Sequence, residues 1–168
     1  IVTHTDEFLS EFLAPYAERL KWISNFSGSA GKAIVMQNIA GIFVDGRYTI
    51  QVQEQVNKND FIIEHIKDFN GWLKKYLQKD TVIGLDPHLH SKIDIEGIKK
   101  ITDDSFAQIQ FLETNPIDLL WHDQPLPPQS KAFIHKLQYS GRPVQEKILQ
   151  VRSILKSNHC NYYILTAL

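Results

Sequence analysis

Segments with the hydrophobic pattern of β-strands alternate with segments that have the pattern of amphipathic helices along most of this 168-residue chain. Strand patterns lie at residues 32–37, 41–45, 61–66, 81–85 and 106–112. Helical patterns lie at residues 18–26, 46–56, 70–77 and 93–101. Strands that alternate with helices indicate an α/β fold, and the tight turn at Asn38 predicts an antiparallel hairpin. We therefore predict an α/β fold in which a mixed β-sheet is flanked by helices.

Polar residues at two of the predicted helix starts favour capping roles. Asn70 precedes the apolar positions of the third helical pattern, and its side chain is expected to cap that helix. Asp45 directly precedes the helix predicted over residues 46–56, and its side chain is expected to cap that helix.

A proline-rich stretch separates this pattern from the remainder of the chain. Residues 123–129 hold three of the seven prolines, and proline lacks a backbone donor, so an extended linker is expected. An amphipathic helix is predicted over residues 144–158 and a strand from Asn161 onward. One helix and one strand cannot close a core. We predict a domain over residues 1–121, a linker over 122–143 and the start of a second domain over 144–168, within a longer protein.

The composition excludes several classes of partner. The net charge of −1 provides no basic surface for nucleic acid or an anionic membrane. No apolar run approaches the roughly 18 residues that a membrane helix needs, and no signal peptide pattern begins the chain. The single cysteine excludes an intrachain disulfide, which favours a cytoplasmic location.

Sequence motifs typical of catalytic, metal-binding and phosphate-binding sites are largely absent. The seven histidines lack the spacing of common zinc sites, and His88 and His90 follow a proline turn where solvated side chains are expected. His159 and Cys160 are adjacent, and neighbours in an extended segment point to opposite faces, so they are not expected to form a catalytic pair. Cys160 is predicted to be a buried thiol, as free cysteines usually are. Residues 27–32 lack the spacing of a phosphate-binding loop. Residues 27–31 are predicted to form a turn in which the glycines adopt backbone angles that other residues avoid. We predict no catalytic residue and no metal ligand in this chain.

The tetrapeptide Asp45-Gly46-Arg47-Tyr48 is the strongest candidate for a functional site. It follows a predicted strand, and open α/β sheets present ligand-facing groups at the carboxyl ends of strands. Arg47 offers a planar guanidinium to a carboxylate, either within the protein or on a ligand. The sequence favours an internal salt bridge for this side chain. Trp22, Trp72 and Trp121 are expected in the core or at an interface.

Several motifs, in order, resemble a known family. They occupy residues 6–12, 18–23, 26–31, 44–51, 84–87, 115–121 and 165–168. Together they are similar to the amino-terminal domain of aminopeptidase P, in the Xaa-Pro aminopeptidase branch of the creatinase/prolidase family. The chain departs from that family at Gln124, where an arginine is frequent. The absence of the arginine removes a possible salt bridge at the linker.

The resemblance implies a function for a larger enzyme. Such an enzyme removes the amino-terminal residue that precedes a proline, with two divalent metal ions, usually manganese, in a carboxy-terminal catalytic domain. None of that domain's aspartate, histidine and glutamate ligands matches a position in this chain. The amino-terminal domain is then expected to be non-catalytic, to assist assembly of a homo-oligomer such as a dimer, and to restrict access to the active site. Arg47, with Asp45 and Tyr48, is the candidate for gating peptide substrates, in the pocket of a neighbouring subunit.

Two other functions are compatible with the sequence. The chain would be a peptide- or protein-binding module if the larger protein lacked the metal ligands. A self-contained hydrolase that uses the local histidines is the weaker alternative. The resemblance also leaves open whether the larger enzyme is an aminopeptidase or a dipeptidase.

Overall fold

The strands form a mixed arrangement in the computed structural model, which describes residues 1–165. Strands β1 (Val2–Thr3), β2 (Gly31–Val35), β3 (Ala40–Val44) and β4 (Ile62–His65) form one sheet in that order, and β5 (Val82–Leu85) pairs with β6 (Gln108–Phe111) in a second. The β1–β2 and β2–β3 pairs are antiparallel, whereas β3–β4 and β5–β6 are parallel. The predicted hairpin and the mixed strand directions are confirmed.

Seven α-helices are found in the described residues. They are α1 (Arg19–Ser24), α2 (Thr49–Gln55), α3 (Phe69–Tyr76), α4 (Lys92–Asp104), α5 (Pro116–Leu120), α6 (Leu137–Ser140) and α7 (Val144–Ser157). Short 3-10 turns lie at Pro15–Ala17, Gly46–Tyr48, Ile66–Asp68 and Pro87–Leu89. The first four α-helices and α7 confirm the helices predicted from the sequence.

The core has two layers because successive residues of a strand face opposite sides of a sheet. Ile34 and Phe43 pack on one side, against α3 and α4. Ala33, Ile42 and Val44 pack on the other side, with residues of α1 and α2. Helices therefore cover both faces of the sheet, as the sequence predicted for an α/β fold.

The helix start predicted at Asn70 is wrong. Helix α3 begins at Phe69, so Asn70 lies inside its first turn. The chain has already adopted a 3-10 turn at Ile66–Asp68, and the ring Nδ1 of His65 accepts the hydrogen bond from the Lys67 backbone N–H at 3.1 Å. The side-chain cap therefore belongs to the 3-10 turn, and α3 itself begins without one.

The chain divides into two units, Ile1–Pro128 and Gln129–Leu168. In the second unit, α7 confirms the predicted helix, but residues 161–165 form no strand. Those residues are solvent-exposed, Tyr162 by 88%. A strand needs a hydrogen-bonded neighbour, and the described part of this unit offers none. Residues 166–168, which the predicted strand includes, lie outside the described residues.

Candidate functional site

The Asp45-Gly46-Arg47-Tyr48 tetrapeptide lies at the carboxyl end of β3, where the buried Val44 is followed by an exposed 3-10 turn. The Asp45 carboxylate accepts a hydrogen bond from the Arg47 backbone N–H at 2.9 Å. This bond confirms that Asp45 is a capping residue, although it caps the 3-10 turn that precedes α2. The cap fixes the direction in which the Arg47 side chain leaves the backbone.

Arg47 forms an internal ion pair with that same carboxylate. Its Nε lies 2.9 Å from Oδ2 of Asp45, and its Nη2 lies 2.5 Å from the same oxygen. The hydrogen bond between them lowers the pKa of Asp45 below its usual range and raises the pKa of Arg47. The internal salt bridge favoured by the sequence is therefore present.

One edge of the guanidinium remains open. Within residues 1–165, Nη1 of Arg47 has no hydrogen-bond partner, and the side chain is 68% exposed. An arginine has five N–H donors in a fixed plane, so an arginine that uses one edge internally can offer the other to a second carboxylate.

Tyr48 stands beside this ion pair. The Arg47 guanidinium carbon is 5.3 Å from the centroid of the Tyr48 ring. The Tyr48 hydroxyl and the Ser29 hydroxyl are 2.7 Å apart, and this hydrogen bond lowers the pKa of Tyr48. The Tyr48 ring also meets the buried Phe26 edge-on, with centroids 5.6 Å apart. The structure thus brings all three predicted residues together in one surface cluster, in which Arg47 is exposed and Asp45 and Tyr48 are half-buried.

Gly28 makes room for this cluster. A Cβ atom at Gly28 would lie 2.3 Å from the ring of Phe26 and 2.8 Å from that of Tyr48. The sequence predicted that the glycines of residues 27–31 supply unusual backbone angles. In the described residues the only glycine with a positive φ is Gly141, so Gly28 is required for close packing instead.

A second polar arrangement was missed by the sequence analysis. Arg19, which is buried, donates from Nε to Oδ1 of Asp118 at 2.7 Å and from Nη2 to Oδ2 at 2.9 Å. Gln124 donates to the same Asp118 carboxylate at 3.0 Å and to the Tyr16 carbonyl at 2.8 Å. Gln124, at which the absence of an arginine was expected to remove a salt bridge, therefore still connects the segment after α5 to Asp118 and Tyr16 by hydrogen bonds.

The indoles of Trp22 and Trp121 stack close to this ion pair, with centroids 5.9 Å apart. They line a surface groove of about 460 Å³ with Leu13, Pro15 and Pro125. Trp22 is 39% exposed, whereas Trp72 lies in the core. The motif at residues 115–121 was the available signal for this region, since it contains both Asp118 and Trp121.

The structure corrects two expectations for the remaining candidate ligands. Cys160 is exposed, not buried, because it follows the end of α7 rather than lying on a strand. His90 is buried, not solvated, and its ring donates from Nδ1 to the Asp86 carbonyl at 2.8 Å. In the described part of the chain, no three His, Cys, Asp or Glu side chains are grouped so as to hold a metal ion.

Comparison with protein families then places this fold. The model described as the creatinase/prolidase N-terminal domain matches residues 3–112, and a second model of the same description matches residues 123–168. The chain belongs to the creatinase/prolidase N-terminal domain family. Across the described helices, none is long and apolar enough to cross a membrane.

The chain is also similar to curated Xaa-Pro aminopeptidases. It is 31% identical to a probable Xaa-Pro aminopeptidase P of Paracoccidioides lutzii and 32% identical to one of Aspergillus oryzae, each over 173 aligned positions that cover all of this chain. It spans 28% and 26% of the length of those relatives, respectively.

Solved structures show the same architecture. The X-prolyl aminopeptidase of Caenorhabditis elegans, described as a cytosolic enzyme with a di-nuclear active site, superimposes with a TM-score of 0.81 at 27% identity. That alignment covers 95% of this chain and 27% of the worm enzyme. The N-terminal domain of the peptidase PepQ from Mycobacterium tuberculosis aligns with 61% of this chain at a TM-score of 0.52 and 16% identity, and covers 80% of that domain. This second likeness concerns the fold alone.

Proposed function

We propose that this chain is the non-catalytic amino-terminal part of a metal-dependent Xaa-Pro aminopeptidase. The observation that carries the proposal is the similarity over the whole chain to Xaa-Pro aminopeptidases of which it spans about a quarter. In this proposal, residues 1–121 form the first domain, residues 122–143 a linker and residues 144–168 the start of a second domain. The larger enzyme is a cytoplasmic homo-oligomer that removes an amino-terminal residue when proline occupies the second position.

The metal ions of this proposed enzyme would be bound elsewhere in the larger protein. Two divalent ions, manganese in our proposal, need a cluster of carboxylates and imidazoles, and the described residues contain no such cluster. When bound, such a pair activates a water molecule and stabilises the oxyanion of the cleaved peptide bond. No step of that reaction is assigned to the residues of this chain.

The first test measures hydrolysis by the chain itself. We expect no release of the amino-terminal residue from an Xaa-Pro peptide with added manganese, because the described residues have no metal-binding cluster. The measurement is a timed assay of the chain beside the full-length protein, which serves as the positive control. Turnover by the chain alone would contradict the non-catalytic role.

The gating role of this domain is assigned to Arg47, supported by its open guanidinium edge. Asp45 orients the Arg47 side chain by hydrogen bonds, and the Tyr48 ring lies beside the guanidinium group. The free Nη1 then offers a charged donor to the carboxylate of a peptide substrate, in the pocket of a neighbouring subunit. Asp45 and Tyr48 are positioning residues in this proposal, because only Arg47 would touch the substrate.

The second test uses the full-length protein. Charge-assisted hydrogen bonds contribute about 1.5–3 kcal/mol. We therefore expect Arg47→Ala to raise KM for an Xaa-Pro peptide at least tenfold with little change in kcat. Steady-state kinetics on a series of peptide concentrations measures the effect.

Two variants control for indirect effects. Asp45→Asn removes the internal charge but keeps the guanidinium, so KM should rise far less than in Arg47→Ala. Lys99→Ala removes an exposed cation from α4 and should leave KM unchanged. A KM for Arg47→Ala equal to that of the unmodified protein would rule out the gating role.

A further inference from the structure

A small cavity lies between the start of β2 and the first turns of α3 and α4, and it shares no residue with the Asp45-Gly46-Arg47-Tyr48 tetrapeptide. Its volume is about 210 Å³, which is below the roughly 300–1,000 Å³ of sites for drug-sized ligands. Polar and apolar side chains line it together, among them Lys32, Phe69, Asn70, His90, Asp94 and Ile98. A cavity of this size and lining suits a small ligand with both polar and apolar parts.

The cavity lies at the edge of the sheet where parallel strands end. Lys32 pairs with Phe43, the residue before the last of β3. His90 follows the 3-10 turn through which the chain leaves β5. Open α/β sheets commonly bind ligands beyond the carboxyl ends of their strands, so the position of this cavity is one that suits binding.

Lys32 brings a positive charge to the cavity without an ion-pair partner. Its Nζ lies 4.4 Å from the centroid of the Phe69 ring, and none of the ion pairs in the described residues includes it. Burial lowers the pKa of Lys32, whereas the charge of Asp94 acts in the opposite direction. A half-buried ammonium group without a partner is costly, and an anionic group on a ligand would reduce that cost.

Asp94 brings a negative charge to the same cavity. Its Oδ2 accepts a hydrogen bond from the hydroxyl of Ser91, the residue that caps α4. Among residues 1–165, no donor is bonded to its Oδ1. Asp94 and Lys32 therefore line one cavity with opposite charges, yet they are too far apart to form an ion pair with each other.

His90 adds a second acceptor without a donor. Its Nδ1 donates to the Asp86 carbonyl, so the neutral ring carries its lone pair on Nε2. Burial lowers the pKa of His90, which favours this neutral form. The residue is only 8% exposed, and Nε2 has no hydrogen-bond partner in the described part of the chain. A buried acceptor of this kind is stabilised when a ligand supplies an N–H or O–H group.

The mixed charge of the walls restricts the class of ligand. An inorganic anion would pair with Lys32 but would be repelled by Asp94. A divalent cation would be repelled by Lys32, and the described residues group no three side chains that could hold a metal ion. A zwitterion satisfies both walls. We propose that the cavity binds a small free amino acid, whose carboxylate pairs with Lys32 and whose ammonium group donates to Asp94 and His90.

The remaining lining residues fit the other parts of such a ligand. The side-chain amide of Asn70, which does not cap α3 and forms no hydrogen bond in the described residues, can donate to the ligand carboxylate. Phe69 and Ile98 offer an apolar surface to a short aliphatic side chain. Gly97 also lines the cavity and leaves it open, because no atom lies within 4 Å of the place of an added Cβ. The inference goes beyond the proposed function, because it assigns binding to this chain and involves no step of hydrolysis.

The test titrates the chain with L-valine near neutral pH and measures the heat of binding. We expect saturable binding to one site, weakened about tenfold or more by Lys32→Met and by Asp94→Asn, because each removes a charge-assisted hydrogen bond. Two matched probes each lack one charge, isovalerate without the ammonium group and isobutylamine without the carboxylate. Both should bind about tenfold or more weakly than valine.

Controls place the effect in the cavity. Lys99→Met and Asp103→Asn remove an exposed ion pair of α4 and should leave the affinity for valine unchanged. Valine should shift the backbone amide resonances of Asn70 and Gly97 in nuclear magnetic resonance spectra, and leave those of Trp22 and Trp121 in place. The same spectra report whether each variant is folded, so that loss of structure is distinguished from loss of binding.

Several results would overturn the proposal. Valine that gives no saturable heat, or that binds Lys32→Met as tightly as the unmodified chain, would exclude an amino-acid site on Lys32. Isovalerate or inorganic phosphate that binds as tightly as valine would indicate a simple anion site. Amide shifts that occur at Trp22 and Trp121 but not at Asn70 and Gly97 would place the ligand elsewhere on the surface.

Discussion

Replacing Asp118 with alanine is expected to lower the free energy of unfolding by about 3 kcal/mol, near the low end for removing one partner of a buried ion pair. The substitution leaves the buried Arg19 guanidinium without its two hydrogen bonds and frees Gln124 from its anchor. Asp118 is 29% exposed, which places the effect at the low end. Urea denaturation followed by tryptophan fluorescence measures it, since Trp22 and Trp121 stack beside this ion pair.

Two control variants distinguish the cost of leaving Arg19 buried without its partner from the cost of removing the whole ion pair. The double variant Arg19→Met and Asp118→Leu removes both charges and should recover most of the stability, because apolar pairs of similar volume often replace buried ion pairs at little cost. Lys99→Ala breaks an exposed pair with Asp103 and should change stability by about 0.5 kcal/mol or less. An Asp118→Ala effect no larger than that of Lys99→Ala would show that the Arg19 pair contributes little.

Local patterns explain why much of the fold was predictable. The alternation of apolar residues in β2 and β3 depends on near neighbours along the chain, and so does the turn that joins these strands. The Asp45 cap involves residues two apart, which the sequence shows directly. Features of this kind are encoded within a few residues and require no knowledge of the tertiary structure.

Long-range contacts explain most of what was missed. Arg19 and Asp118 are 99 positions apart, and no local sequence pattern predicts that they form an ion pair. The cap of α3 was assigned to Asn70 because asparagine is a common capping residue, whereas in the structure His65 caps the preceding 3-10 turn and α3 begins without a side-chain cap. The burial of His90 and the exposure of Cys160 depend on what packs around each side chain, which a single sequence does not reveal.

The candidate site combines both kinds of information. The sequence selected Asp45, Arg47 and Tyr48 from their place after a strand, and the structure groups them. Their support comes from residues outside the motif, Ser29 by a hydrogen bond and Phe26 by an edge-on ring contact. Whether Arg47 contacts substrate depends on the larger protein, so that role stays a proposal.

Phe43→Ala is expected to have the largest effect on stability of any substitution considered for this chain, a loss of about 4 kcal/mol. Phe43 is fully buried in β3 and meets Phe69 and Trp72 edge-on, with centroid distances of 5.2 and 5.5 Å. Removing the ring leaves a cavity, and the adjacent Gly41, whose added Cβ would lie 3.0 Å from the ring, has no side chain to fill it. Chemical denaturation of the purified chain measures the loss.

Phe12→Ala provides the matched control, because the same side chain is removed from a position that is 83% exposed. We expect that variant to stay within about 0.5 kcal/mol of the unmodified chain. Phe43→Leu should lie between the two, since it retains most of the apolar volume. Nearly equal losses for Phe43→Ala and Phe12→Ala would contradict the packing of β3 against α3. Phe43 lies two residues before Asp45, so such a result would also remove the rigid support from which Arg47 is presented.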